Sequence, residues 1–241
     1  MMQPKFEQEI LIPPSACDYS GKLGYVGAFA VLMDLATEHA ERLGIGLAAM
    51  KAKDRFWVTV KTKIIFYERP AVSESVKLVT WPEKPGQVRC NRSYEIRRGD
   101  ELLVAGRTEW AVMNTAANTI APATDLFPAD LDYVSGSSVS EPFARIPARF
   151  DGVEPFASYT VRSTDIDLGG HMNNAAYPRA VFGAFSTKEL EAMQARSIDL
   201  IFRTPCYEGE ELTLYKKESE GVTDLRAARG DDTVLLARIA K

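Results

Sequence analysis

The stretch Ser163–Pro178, STDIDLGGHMNNAAYP, gathers residues that can move protons and bind oxygen. It holds one of only two histidines in a chain of 241 residues. His171 comes one helical turn's worth of sequence after Asp167, close enough for the carboxylate to orient the imidazole or to act as base itself. Gly169 and Gly170 lie between them, and without a Cβ they let backbone amides approach a substrate. Asn173 and Asn174 follow, and there the polar stretch gives way to an apolar one that reads as a helix. A helix start exposes unpaired N–H groups and a partial positive charge, which suit a developing oxyanion. Acid–base attack on a polarised carbonyl is the chemistry these residues fit. Plainer roles compete: Asn173 or Asn174 as a helix cap, and Asp165 and Asp167 as turn formers. Of the two aspartates, Asp167 is assigned to chemistry and Asp165 to the turn.

Composition narrows the setting. Hydrophobic residues make up 46% and charged residues 26%, as expected for a globular chain with a real core. A net charge of −4 leaves few surplus cations, which argues against wholesale nucleic-acid binding through counterion release. Cys17, Cys90 and Cys206 are widely spaced with no CxxC pair, so neither a disulfide framework nor a zinc site is expected. The start of the chain lacks the apolar core of a signal peptide, and the run Leu23–Met33 is too short to span a bilayer. A cytoplasmic protein is expected. No glycine-rich phosphate loop follows a strand and no metal-ligand cluster is present, so no cofactor and no metal are expected.

The elements that must carry the motif come in two similar series. Residues 23–43 read as a helix, with Ala28, Leu32, Leu35 and Leu43 on one face and Gly44 as its stop. Four strand-like segments follow, at 55–68, 73–84, 87–99 and 101–114, the last two joined by a Gly-Asp turn. Residues 115–152, rich in Pro, Ser, Ala and Gly, read as a connector. A strand at 157–163 then leads to the histidine motif, a helical stretch to about Met193, and strands at 197–205, 210–220, 223–230 and 233–241. Phe66–Val76 (FYERPAVSESV) and Phe202–Leu212 (FRTPCYEGEEL) match in register, which points to an internally duplicated unit. The entry loops align less well, with Asp18 set against Asp165. The expected fold is α+β, two antiparallel sheets each curled around a central helix. Its divisions are an N-terminal unit at 1–134, a linker at 135–156 and a C-terminal unit at 157–241.

These motifs resemble the acyl-acyl-carrier-protein thioesterase family, a tandem or double hotdog fold. In the first half the likeness rests on RFWVTVKTKIIFYERP and on GQVRCNRSYEIRRGDELLVAGRTEWAVMN. In the second it rests on TDIDLGGHMNNAAY and on FRTPC, of which the His-x-Asn-Asn-x-x-Tyr core is the specific part. The resemblance implies hydrolysis of fatty acyl-carrier thioesters, with Asp167 and His171 as catalytic aspartate and histidine, Asn173 beside them, and Cys206 at the cysteine position. Three positions depart from the pattern: Gly169 replaces an asparagine, Pro205 replaces an acid, and Pro178 replaces an apolar helix residue.

For thioester hydrolysis the Gly169 and Gly170 amides are the expected oxyanion donors. Cys206 reads either as a nucleophile or as a small buried hydrophobe. His39 reads as a surface or part-buried residue. In the first half, CDYSGKLGYVGAF places Gly24 or Tyr25 where a histidine would be needed, so that copy is expected to be silent. It would instead supply an acyl slot lined by Phe29, Leu32, Met33 and Trp57. An acyl carrier protein is acidic, so its docking surface should be basic; Arg89, Arg92, Arg97, Arg98, Lys61 and Lys63 are candidates. Acyl-CoA hydrolysis, a non-catalytic acyl- or carrier-binding module, and a hotdog dehydratase or hydratase are the competing readings. The protein is expected as a monomer or homodimer.

Overall fold

The computed structural model describes residues 3–124 and 126–241. They form two compact units, one ending at Pro142 and one running from Phe143 to Lys241. The first contains β1 (Phe6–Leu11), α1 (Tyr25–Arg42), α2 (Leu47–Lys51), β2 (Arg55–Phe66), β3 (Ser75–Pro82), β4 (Cys90–Arg98), β5 (Glu101–Asn114) and β6 (Thr119–Ala121). The second contains β7 (Pro155–Thr160), α3 (Ala176–Phe182), α4 (Thr187–Met193), β8 (Ser197–Phe202), β9 (Glu211–Ser219), β10 (Val222–Arg229) and β11 (Asp232–Ala240).

Strands run β1-β3-β4-β5-β2 in the first unit, with β6 on β5, and β8-β11-β10-β9-β7 in the second. All of these pairings are antiparallel. Alternation along the strands sets which face is buried. Tyr94 on β4 stands opposite Gly106 on β5, and Leu32 of α1 packs over that glycine. A Cβ on Gly106 would lie 3.3 Å from the Leu32 side chain, so the small residue seats the helix on its sheet. Gly27 acts likewise, because a Cβ there would sit 1.9 Å from the Ala16 carbonyl oxygen. Its absence lets α1 approach the one-turn 3-10 segment Pro14–Ala16.

The second helical stretch differs from the sequence expectation. It is not continuous to Met193; α3 stops at Phe182, and Ser186 with Glu189 forms a capping box that starts α4. Pro178 falls in the first turn of α3, where its missing N–H needs no partner. Nor are residues 135–156 a free connector. Ser138 donates to the Gly106 carbonyl at 2.6 Å and Trp81 to the Gly136 carbonyl at 3.3 Å, within the first unit. The Ala144 N–H donates to Asp199 at 2.8 Å, within the second. A polar composition therefore concealed backbone that is anchored by side chains on both sides of the division.

Candidate active site

The segment Asp167–His171 is a tight turn held by three hydrogen bonds. The Asp167 N–H donates to the His171 carbonyl at 2.9 Å and the Gly170 N–H to the Asp167 carbonyl at 3.0 Å. The Gly169 N–H donates to Asp167 Oδ1 at 2.7 Å. Gly170 has φ +79°, a backbone region open to glycine at little cost. The Met172 N–H donates to the Cys206 carbonyl at 2.8 Å, which fixes the turn to the segment after β8.

On this frame His171 Nδ1 lies 3.9 Å from Asp167 Oδ1, with the imidazole one-third exposed. That separation exceeds a direct hydrogen bond but keeps the carboxylate close enough to stabilise an imidazolium. The Tyr207 ring meets His171 edge-on, with centroids 6.0 Å apart. Leu168, at the tip of the turn, is 87% exposed.

The neighbouring polar residues are scaffold. Buried Asp165 accepts the Tyr159 hydroxyl at 2.7 Å and the Arg162 N–H at 2.8 Å, with Arg179 at 3.6 Å. Burial, then that hydrogen bond, push the Tyr159 phenol up to about 12. Asn173 is occupied too: its Oδ1 accepts the Ala175 N–H at 2.8 Å and leads the chain into α3. The Gly169 and Gly170 amides, expected to face an oxyanion, are both spent inside the turn. Glycine here serves the turn geometry more than access to a ligand.

Cys206 reaches the site through its backbone and through a hydrogen bond between its thiol and the Tyr177 hydroxyl. Its carbonyl holds Met172, and its N–H donates to the Tyr177 hydroxyl at 3.1 Å. The thiol is fully buried, and burial raises its pKa. Such a thiol holds little thiolate near neutral pH. Burial likewise raises the Tyr177 phenol.

The first unit contains the same turn. The Asp18 N–H donates to the Lys22 carbonyl at 2.9 Å, and the Gly21 N–H to the Asp18 carbonyl at 3.0 Å. The Ser20 N–H donates to Asp18 Oδ1 at 2.9 Å, and Gly21 has φ +70°. The Leu23 N–H donates to the Pro70 carbonyl at 2.8 Å, as Met172 does to Cys206. The counterpart of Asp18 is therefore Asp167, not Asp165. Lys22, not Gly24 or Tyr25, stands in the histidine position. Asp18 is also clamped by an ion pair with Arg69, whose place in the second unit is taken by Pro205. Burial opposes ionisation of Asp18, but hydrogen bonds from Ser20 and Arg69 together outweigh it and lower its pKa.

The remaining candidates separate. Phe29 and Leu32 are buried in the first unit's core, while Met33 is only part-buried. Trp57 belongs to another cluster of that unit, donating to the Ile45 carbonyl at 2.9 Å and packing against Trp110 and Phe127. His39 is not a surface residue. It is 2% exposed, its Nδ1 lies 3.0 Å from Arg92 Nη1, and burial and then the Arg92 charge push its pKa down to about 4. The expected basic surface is largely neutralised. Arg92 and Lys63 are buried, Arg97 pairs with Glu95, and Arg98 pairs with Glu68, Glu74 and Glu101. Arg89 and Lys61 share Glu109 at 3.7 and 3.6 Å.

Among the described residues no group of three or more His, Cys, Asp or Glu side chains could hold a metal. None of their helices is long and apolar enough to cross a membrane.

Oleoyl-acyl carrier protein thioesterase 2 of Arabidopsis thaliana, a chloroplastic protein, is 24% identical over 84% of this chain and 61% of its own length. An acyl-[acyl-carrier-protein] hydrolase of Cuphea viscosissima is 23% identical over 73% of this chain and 46% of its own. The chain thus spans about half to three-fifths of these relatives. The crystal structure of an acyl-ACP thioesterase from Bacteroides thetaiotaomicron aligns with TM-score 0.87 and 20% identity, over 98% of this chain and 97% of that one. The 12:0-ACP thioesterase from Umbellularia californica aligns with TM-score 0.86 and 18% identity, over 100% and 98%. These likenesses show the fold, a double hotdog. The family model of the acyl-ACP thioesterase N-terminal domain matches residues 3–130 and that of the C-terminal domain residues 151–235, so the chain belongs to the acyl-ACP thioesterase family.

Proposed function

We propose that the protein hydrolyses fatty acyl thioesters of an acyl carrier protein to free fatty acid and carrier thiol. The observation that carries this reading is the Asp167–His171 pair, set on a rigid turn with the imidazole partly exposed. In the proposed step His171 takes a proton from water as the oxygen attacks the thioester carbonyl. Asp167 stabilises the imidazolium. The tetrahedral intermediate collapses with cleavage of the C–S bond, and the imidazolium returns its proton to the leaving thiolate. Water supplies the acid's oxygen, and the products are one carboxylic acid and one thiol.

Cys206 enters this scheme as scaffold, because its buried thiol is poorly suited to attack. In the first unit Phe29 and Leu32 are the proposed slot residues, with Met33 and Trp57 as more distant candidates. The architecture that goes with this reading gives each unit a sheet curled around its own helix. Leu32 on Gly106 and Tyr177 on Phe202, ring centroids 5.6 Å apart, support it. A cytoplasmic setting fits the three free cysteines.

The test is thiol release from acyl-carrier and acyl-CoA thioesters of graded chain length. Carrier thioesters should be cleaved faster, and His171→Ala or Asp167→Asn should lower kcat by roughly 10²–10⁴. Intact thioesters across the whole panel would end the proposal.

A further inference from the structure

One end of the first unit's sheet is formed by three loops: the α2–β2 turn, the β3–β4 hairpin and the β5–β6 hairpin. Arg55 pairs with Asn114, the Thr115 N–H donates to the Asp54 carbonyl at 3.0 Å, and the Ala123 N–H donates to the Gln87 carbonyl at 3.0 Å. These links bring the loops together. They carry Lys51, Lys53, Arg55 and Lys84 against two carboxylates, Asp54 and Glu83, with Arg89 paired to Glu109, in a chain whose net charge is −4. Glu83 is already committed, accepting two hydrogen bonds from Arg107 at 3.0 and 2.6 Å. Lys51, Lys53 and Lys84 are exposed and have no carboxylate partner among the described residues. Among the described residues Arg55 donates to the carbonyls of Lys53 and Asp54 and to no carboxylate. Between the cations, Val88 and Ile120 are each 47% exposed.

Elsewhere in the unit the arginines are buried or matched by carboxylates, Arg69 by Asp18 among them, so unmatched arginine and lysine charge gathers at this end. Unmatched cations interleaved with aliphatic side chains suit an acidic protein surface, whose carboxylates they meet and whose apolar residues they cover. We propose that this end of the first unit is the docking surface for an acidic carrier protein that delivers the thioester. The inference rests on the proposed function and names a partner surface for it.

The triple variant Lys51→Glu/Lys53→Glu/Lys84→Glu tests it, since all three side chains are exposed and outside the proposed catalytic site. The expected result is a KM for the acyl-carrier thioester raised at least about tenfold, with kcat/KM for the matched acyl-pantetheine unchanged. Added salt should raise the wild-type KM and leave that of the variant nearly flat. Anisotropy of a dye-labelled carrier protein reads docking without turnover. A wild type that binds carrier but cleaves nothing, with binding lost in the variant, keeps the surface and removes the hydrolase reading. An unchanged carrier KM with unchanged binding overturns the proposal, as does an equal fall with acyl-pantetheine. Sedimentation with phosphatidylglycerol vesicles that the variant abolishes, while carrier binding stays intact, assigns the patch to a membrane and also overturns it.

Discussion

Lys22 and His171 occupy the same position in two copies of one turn, each accepting at 2.9 Å the N–H of the aspartate that opens it. What differs is the surroundings of that aspartate. Asp18 is paired with Arg69 and hydrogen-bonded by Ser20, whereas Asp167 has Pro205 where the arginine would be. The proline, a departure from the family's acid, removes any side chain that could pair with Asp167 from that position.

Pro205→Arg should therefore convert the second turn toward the first. The guanidinium is expected to claim the Asp167 carboxylate and lower kcat/KM for thioester hydrolysis by about tenfold or more. The melting temperature should stay constant or rise. Steady-state kinetics with a parallel thermal melt decides it, and full activity in the variant would show that Asp167 does not act through its free charge.

Gly169 and Gly170 should respond in opposite ways to a side chain. Position 169 matches Ser20, which carries a side chain in the same turn, and only Gly170 has positive φ. Gly169→Asn is expected to fold normally and to raise kcat by supplying a polar group near the carbonyl. Gly170→Ala should destabilise the protein by about 1 kcal/mol, a melting shift of a few degrees. Calorimetry and kinetics on the two variants separate these effects.

Cys206→Ala should keep activity within a few-fold of wild type, because its backbone carbonyl and N–H still hold Met172 and Tyr177 and the substitution removes only the thiol's hydrogen bond with the Tyr177 hydroxyl. Iodoacetamide should modify the native thiol slowly, in keeping with its burial and raised pKa. Loss of activity by orders of magnitude, with the fold intact, would restore the nucleophile reading.

His39 sets a pH dependence of stability. Its ordinary pKa of 6.5 is pushed down to about 4 in the folded chain by burial and by Arg92, so the native state holds the ring neutral. The unfolded chain takes up a proton first as pH falls. Stability from this site is complete above about pH 6.5 and is lost progressively as pH drops toward 4. His39→Gln, which keeps an acceptor for Arg92, should show a smaller loss over that window in denaturant titrations. Identical slopes for the two proteins would remove His39 from the account.

Most of the secondary structure was legible in the chain itself. The alternation of Cys90, Tyr94 and Ile96 in Cys90–Arg98 and the apolar face of Tyr25–Arg42 each report a dominant partner surface, and such patterns are local. The histidine turn was legible too, since Asp-x-Gly-Gly-His combines the glycine a positive φ needs with residues able to carry charge. The short β1, α2 and β6 were not, because each is specified by what it packs against rather than by its own periodicity. Tertiary structure alone decided how the turns correspond. The second copy's helix is much shorter, so counting along the chain from the strands misplaces the entry loop and hides Lys22 behind Gly24. It also decided which charges stay available. Arg92, Arg97 and Arg98 read in the sequence as one basic strand face, yet Arg92 is buried against His39 and the others are paired with glutamates. A cation's electrostatic role depends on carboxylates brought within a few ångströms by folding, and their distance in sequence says nothing of it.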